Sequence, residues 1–284
     1  MAKLALDEMA VERVSAIYES FVEDLTLTGA ARRDMKKRRG FTDETIDALK
    51  FRSIGNKKLV EAAMKATGAT EDELLAVKLL VDGKHGPYPN PQLTKMPERA
   101  RDAVLLPYIS NHGQISKLRV HRNNFWKDGI RPYCGRVGKT YEGDDVDLIL
   151  CEGEFKAAAL YQEGYAALAV PGISSFAGDH FDQLVEAIGH IRHKRLIVCF
   201  DREIKNDPTL AGFKSNYRKR WDTEFYTWLM AHRLDGYVAM LPKDWMVEGK
   251  VDFDQALAAG RGRADFDAIF AKAVTPLRFL DQLE

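Results

Sequence analysis

At 284 residues the chain exceeds the usual size of one domain, so two or more packed units, each with its own core, are expected. Lysine plus arginine and aspartate plus glutamate each number 42, so net charge gives no argument for a polyanionic partner and only the placement of charges can carry one. Three widely spaced cysteines, Cys134, Cys151 and Cys199, form no CxxC or CxxH pair and argue against a zinc ribbon, while the lack of a signal peptide or a membrane-length apolar run predicts a cytoplasmic protein with no membrane partner.

Val11, Val14, Ile17, Tyr18, Phe21, Val22 and Leu25 recur at helical spacing and predict an amphipathic helix. The basic run ARRDMKKRRG follows, then Thr42 can cap TDETIDALKF, and Thr70 with Glu73 forms a capping box opening EDELLAVKLL. Residues 1 to about 82 are therefore expected to be helical. DGKHGPYPNPQLTKMP is too rich in glycine and proline to continue a helix and reads as a linker or an extended surface loop. AVLLPYIS and QISKLRVHR flank the turn residues Asn111, His112 and Gly113 and predict a β-hairpin, followed by a basic, glycine-containing segment to about Lys139.

From Asp147 short apolar strands alternate with helices: DLILCE, EFKAAALYQEG, YAALAVPG, HFDQLVEAIGHI and RLIVCFD, then a long helix around Phe213 to Leu234, a strand GYVAML and a closing helix FDQALAAG. Strands apolar on both faces and separated by helices imply an α/β fold with a parallel sheet covered on both sides. The expected organisation is a helical region over 1–95, a small basic β-hairpin subdomain over 96–143, an α/β domain over 144–262 and a C-terminal helix over 263–284.

A parallel sheet places its site at the carboxyl ends of its strands, and acids fall there. Glu152 ends the first strand in CEGEFKA, with Gly153 allowing a tight strand-to-helix turn. Asp201 ends the third in CFDREIKND, and Glu203, two residues on, projects to the same side if the backbone stays extended. Crowded carboxylates repel, and an oxygen-preferring divalent cation removes the penalty; magnesium takes one or two carboxylates and keeps positions for phosphate oxygens. Lys156, four residues after Glu152 on the first helical turn, lies close enough to touch a phosphate or to pair with Glu152. Taken singly, each acid reads equally as a loop-solvating or helix-capping residue; it is their position on successive strand ends that lifts them. Asp252 and Asp254 in KVDFDQALAAG either add auxiliary acids to the cluster or cap the last helix.

CEGEFKA, VPGISS and CFDRE, in this order, resemble the glutamate, glycine and DxD motifs of the Toprim domain shared by bacterial primases, topoisomerases and some nucleases. The chain is also similar to the Toprim-like domain of replication proteins carried by plasmids and phages, which read EGE-x-K-A, PG and FD and end near a D-x-D before a glycine. Upstream, RRGFTDETIDALKFRSIG and VLLPYISNHGQISKLRVHR resemble, in order and spacing, the core of DnaG-type primases, so the likeness spans about residues 30 to 262. It implies a Toprim-like parallel four-stranded sheet flanked by helices, preceded by a helical region and the basic hairpin. By this resemblance Glu152, Asp201 and Glu203 are metal ligands, and Glu152, Lys156 and Asp201 are catalytic. The implied activity is magnesium-dependent (or manganese-dependent) nucleotidyl transfer on single-stranded DNA or RNA, with nucleotides as substrates and a replicative helicase as partner, in replication of a phage, plasmid or other mobile element. A Toprim nuclease and an inactive nucleic-acid-binding accessory protein are the alternatives.

Departures from the family pattern are specific. Glutamate at Glu203 replaces the second DxD aspartate. Lys156 stands where primases place an aspartate, although type IA topoisomerases carry a lysine at that offset. No tyrosine is assignable as a strand-cleaving nucleophile, and the primase zinc ribbon is missing.

The basic segment Lys117, Arg119, His121, Arg122, Lys127 and Arg131, with Phe125 and Trp126 interleaved, joins cations to rings that stack on bases; the bland reading is a solvated hairpin anchored by Trp126. KSNYRKRW, after the Asp201 loop, and Arg32, Arg33, Lys36, Lys37, Arg38 and Arg39 in the first basic run read either as phosphate contacts or as solvated helix faces.

Overall fold

The computed structural model describes residues 5–94, 104–110, 113–121, 133–134, 144–170, 181–203, 223–247 and 250–281. Two compact units result, one built from residues 1–36 and 43–128, the other from 37–42 and 129–284. Among the described residues no helix is long and apolar enough to cross a membrane.

In the first unit, α1 (Val11–Glu23), α2 (Gly29–Arg39, whose last residues belong to the second unit), α3 (Asp43–Ala48), β1 (Arg52–Ser53), α4 (Lys57–Ala66) and α5 (Glu71–Ala76) follow one another. The α1 stripe holds from Val14 onward, with Ile17, Phe21 and Val22 fully buried and Tyr18 donating to the Val77 carbonyl at 2.8 Å, whereas Val11, at the start of the helix, is exposed. Thr70 and Glu73 form the expected capping box, and Glu73 also takes Arg13 bidentately at 2.7 and 2.8 Å, tying α1 to α5. The glycine- and proline-rich stretch is more ordered than a linker: β2 (Leu80–Val81) pairs antiparallel with β3 (Tyr88–Pro89), and α6 (Pro91–Thr94) follows. Buried Asn90 organises it, donating to the Lys78 carbonyl and accepting from the Gln92 N–H.

The predicted hairpin is β4 (Val104–Ile109) and β5 (Ile115–Val120), antiparallel, with β1 on the other side of β4. Every residue of β4 is buried, and Leu105, Ile109, Ile115, Leu118 and Val120 share one core with α1 and α4. Lys117 and Arg119, two apart on β5, occupy one face of the strand.

The second unit carries a five-stranded sheet in the order β11-β9-β7-β8-β6, made of β6 (Tyr133–Cys134), β7 (Asp147–Glu152), β8 (Ala166–Val170), β9 (Arg195–Val198) and β11 (Tyr237–Val238). Four of these strands are parallel, as expected; the short β6 adds an antiparallel edge. α7 (Glu154–Gln162) joins β7 to β8, and α8 (Phe181–Gly189) and α9 (Thr223–Arg233) pack with Leu148, Leu150, Leu168, Leu196 and Val198 in one apolar cluster. β10 (Arg202–Glu203) pairs antiparallel with β12 (Lys250–Val251), after which come α10 (Phe253–Ala258), α11 (Arg263–Phe270) and α12 (Pro276–Asp281).

Candidate active site

β7 and β9 are hydrogen-bonded parallel neighbours, with Leu150 opposite Val198, so Glu152 and Asp201 leave the same edge of the sheet. The chain turns sharply after Glu152: Gly153 sits at φ +86° and ψ 146°, a conformation open to glycine, and its N–H donates to the Val170 carbonyl at 2.7 Å. That turn starts α7 at once and brings Lys156 back over the strand ends.

β10 and β12 bring in the other half of the site. Glu203 faces Lys250 and Arg202 faces Val251 across this small ladder, which carries Lys250 and Asp252 to Asp201. Asp201 is buried, and its Oδ2 lies 3.3 Å from Lys156 Nζ and 2.8 Å from Lys250 Nζ. Oδ2 of Asp252 lies 3.7 Å from Lys156 Nζ and 3.8 Å from Lys250 Nζ. Two ammonium groups thus stand among the acids.

Asp252 also caps α10 through its Oδ1, which accepts from the Gln255 N–H at 2.9 Å, as the capping reading expects. Asp254 pairs with Arg39, whose guanidinium also lies 3.7 Å over the Phe155 ring. Oδ1 of Asp254 is buried with no hydrogen-bond partner among the described residues.

The charges set each other's protonation. Burial, reinforced by the adjacent Asp254 carboxylate, raises the Asp252 pKa to about 7. Burial acts in the same direction on Asp254, but Arg39 outweighs it and holds that group below the usual carboxylate range. For Lys156 and Lys250 burial favours the neutral amine, yet the surrounding carboxylates, Asp201 foremost, keep both ammoniums charged.

Lys156, Asp201 and Asp252 therefore meet in one cluster, with Glu152 at the adjoining strand end; Glu203 is placed by its backbone only. Lys250 and Arg39 are members that sequence reasoning overlooked. Period-two alternation in KVDFD puts Lys250 and Asp252 on the same side, a readable signal. Arg39 lies 215 residues from Asp254 and had none. In the first basic run Arg32 pairs with Asp43 and Asp47 at 2.8 and 2.6 Å and Lys36 with Asp43 at 2.5 Å. Arg122, Lys127, Arg131, Phe125, Trp126, the VPGISS motif beyond Val170 and KSNYRKRW lie outside the described residues.

Among the described residues no group of three or more histidine, cysteine, aspartate or glutamate side chains is arranged to hold a metal. Magnesium asks for less: one or two carboxylates with water completing the octahedron. Glu152 and Asp201 are hard oxygen donors on adjacent strand ends, and the Asp201–Asp252 side already has its countercharge.

A parallel four-stranded core flanked by helices, with acids at its strand ends, is the primase Toprim fold. The RNA polymerase domain of Mycobacterium tuberculosis primase DnaG is similar to this chain at 16% identity and TM-score 0.58, covering 95% of this chain and 86% of that one. The E. coli primase catalytic core is similar at 17% identity and TM-score 0.53, covering 96% and 82%. A DnaG primase catalytic domain bound to single-stranded DNA is similar at 19% identity and TM-score 0.55, covering 95% and 82%. At such identities the likeness establishes the fold. Residues 139–214 match a family model described as a domain of unknown function, DUF3854. No curated protein matches the sequence.

Proposed function

We propose that this protein is a primase-like nucleic-acid enzyme that performs magnesium-dependent nucleotidyl transfer on single-stranded DNA during replication of a mobile element, alongside a replicative helicase. The observation that carries the reading is the meeting of Lys156, Asp201 and Asp252, with Glu152 on the adjoining strand end, at the carboxyl edge of a sheet with the primase fold.

Glu152 and Asp201, with Glu203 as an auxiliary ligand, would hold the ion. Magnesium in such a site lowers the pKa of an attacking hydroxyl and stabilises charge on a transferring phosphoryl group. Lys156 holds Asp201 in place through its ammonium, and the exposed part of Lys250 offers a positive charge to a nucleotide phosphate. Lys117 and Arg119 on β5, with His121 just after it and Arg122, Lys127 and Arg131 further along, are the proposed template contacts.

Incubation with labelled single-stranded template, ribonucleotides and magnesium or manganese tests the reading. Short new products are expected, and their loss in Glu152→Gln at least about 100-fold, as for groups that stabilise charge in the transition state. Loss of template instead identifies a nuclease. A second reading, a binding protein without catalysis, is favoured by the two ammoniums already standing among the acids; retardation of the template with no product of either kind would select it.

A further inference from the structure

Lys156 and Lys250 come from separate elements, α7 and β12, yet their ammoniums converge on one oxygen, Asp201 Oδ2, at 3.3 and 2.8 Å. Both also approach a second single oxygen, Asp252 Oδ2, at 3.7 and 3.8 Å. Like charges brought together in a largely buried place repel, so this convergence requires the two carboxylates it spans. Two unit positive charges bridging two carboxylate oxygens reproduce the charge and the bridging role of one divalent cation.

We infer that the Lys156–Lys250 pair is a built-in countercharge that occupies the place of a divalent ion between Asp201 and Asp252, leaving the strand-end cluster to take an ion at Glu152 and not between those two acids. The inference rests on the proposed metal-dependent reading for the ion at Glu152, but the lysine pair stands on its own contacts. Arg39, a further cation near these acids, is committed to Asp254. Lys250 retains 34% of its side-chain exposure against 17% for Lys156, so it is the member that can be neutralised with less disturbance. The cluster consequently gives up a metal position and gains a fixed ammonium that can reach solvent-borne phosphate without dissociating.

The test is Mn2+ binding to the full chain, followed by calorimetry and by the electron paramagnetic resonance of free Mn2+. Lys156→Met/Lys250→Met, checked for folding by circular dichroism, should bind one more Mn2+ per chain than the wild type, and an unchanged count overturns the inference. Lys250→Met alone serves if the double variant does not fold. Removing this one ammonium should enlarge the rise in melting temperature that Mn2+ produces, and a rise equal to that of the wild type again overturns it. A wild type that takes up no Mn2+ removes the ion proposed at Glu152, while the difference between variant and wild type still decides the role of the lysines.

Discussion

Asp252 holds two partners at once, the first turn of α10 through Oδ1 and the lysine pair near Oδ2. Burial and Asp254 raise its pKa to about 7, while an unfolded aspartate titrates near about 3.9. The folded state binds the proton more tightly, so this contribution to stability is fully present below about pH 4 and is lost as the pH rises through about 7. Asp252→Asn keeps the cap and removes the titration. Urea unfolding in EDTA should show wild-type stability falling through that window by at most about 1.4 kcal/mol per pH unit, with the variant lacking that decline; parallel curves would contradict the assignment. Arg39→Met leaves Asp254 buried without its cation and should cost about 3–5 kcal/mol, part of which Asp254→Asn restores in the double variant. Additive losses in the double-mutant cycle would show that the two do not interact. Residues such as Arg39 are illegible in a sequence because a run of cations reads as a solvated helix face, and only tertiary structure reveals that its last member turns inward.

Elements differ in how far their sequence announces them. β7, α7 and β8 were legible because each is long enough to show a pattern, buried on both faces for the strands and closed by glycine at the turns. Two-residue strands such as β1, β2, β3, β10 and β12 offer no periodicity, and the ladder of β10 with β12 is what delivers Lys250. Hence half of the cluster was readable as acids at strand ends, and the cations that answer them were not. The backbone at Gly153 permits a direct check: Gly153→Ala forces φ +86° on an L-residue and should cost about 1–3 kcal/mol, read from the shift in urea midpoint. On the basic hairpin, Lys117→Ala and Arg119→Ala should each flatten the dependence of log K for single-stranded DNA on log salt by about 0.7. Unchanged slopes would remove β5 from the proposed template surface.

At the scale of the whole molecule, the fold predicted from alternating strands and helices is the one observed, but its units are not contiguous segments. Residues 37–42 belong with 129–284, where Phe41 is buried 6.0 Å from the Phe155 ring and Gly40, at φ +70°, lies so close to α10 that a Cβ would come within 2.7 Å of Ala258 N. No local pattern marks such a return of the chain. A fragment of residues 129–284 should therefore melt below the corresponding transition of the intact chain, and an equal melting temperature would show that the returning segment adds nothing. The proposed hold of Glu152 and Asp201 on a divalent ion at the edge of the sheet can be read atom by atom from anomalous diffraction of crystals soaked in Mn2+. An anomalous peak is expected within about 2.6 Å of carboxylate oxygens of both residues; a soaked crystal with no peak there, or with its metal held elsewhere, would rule the site out.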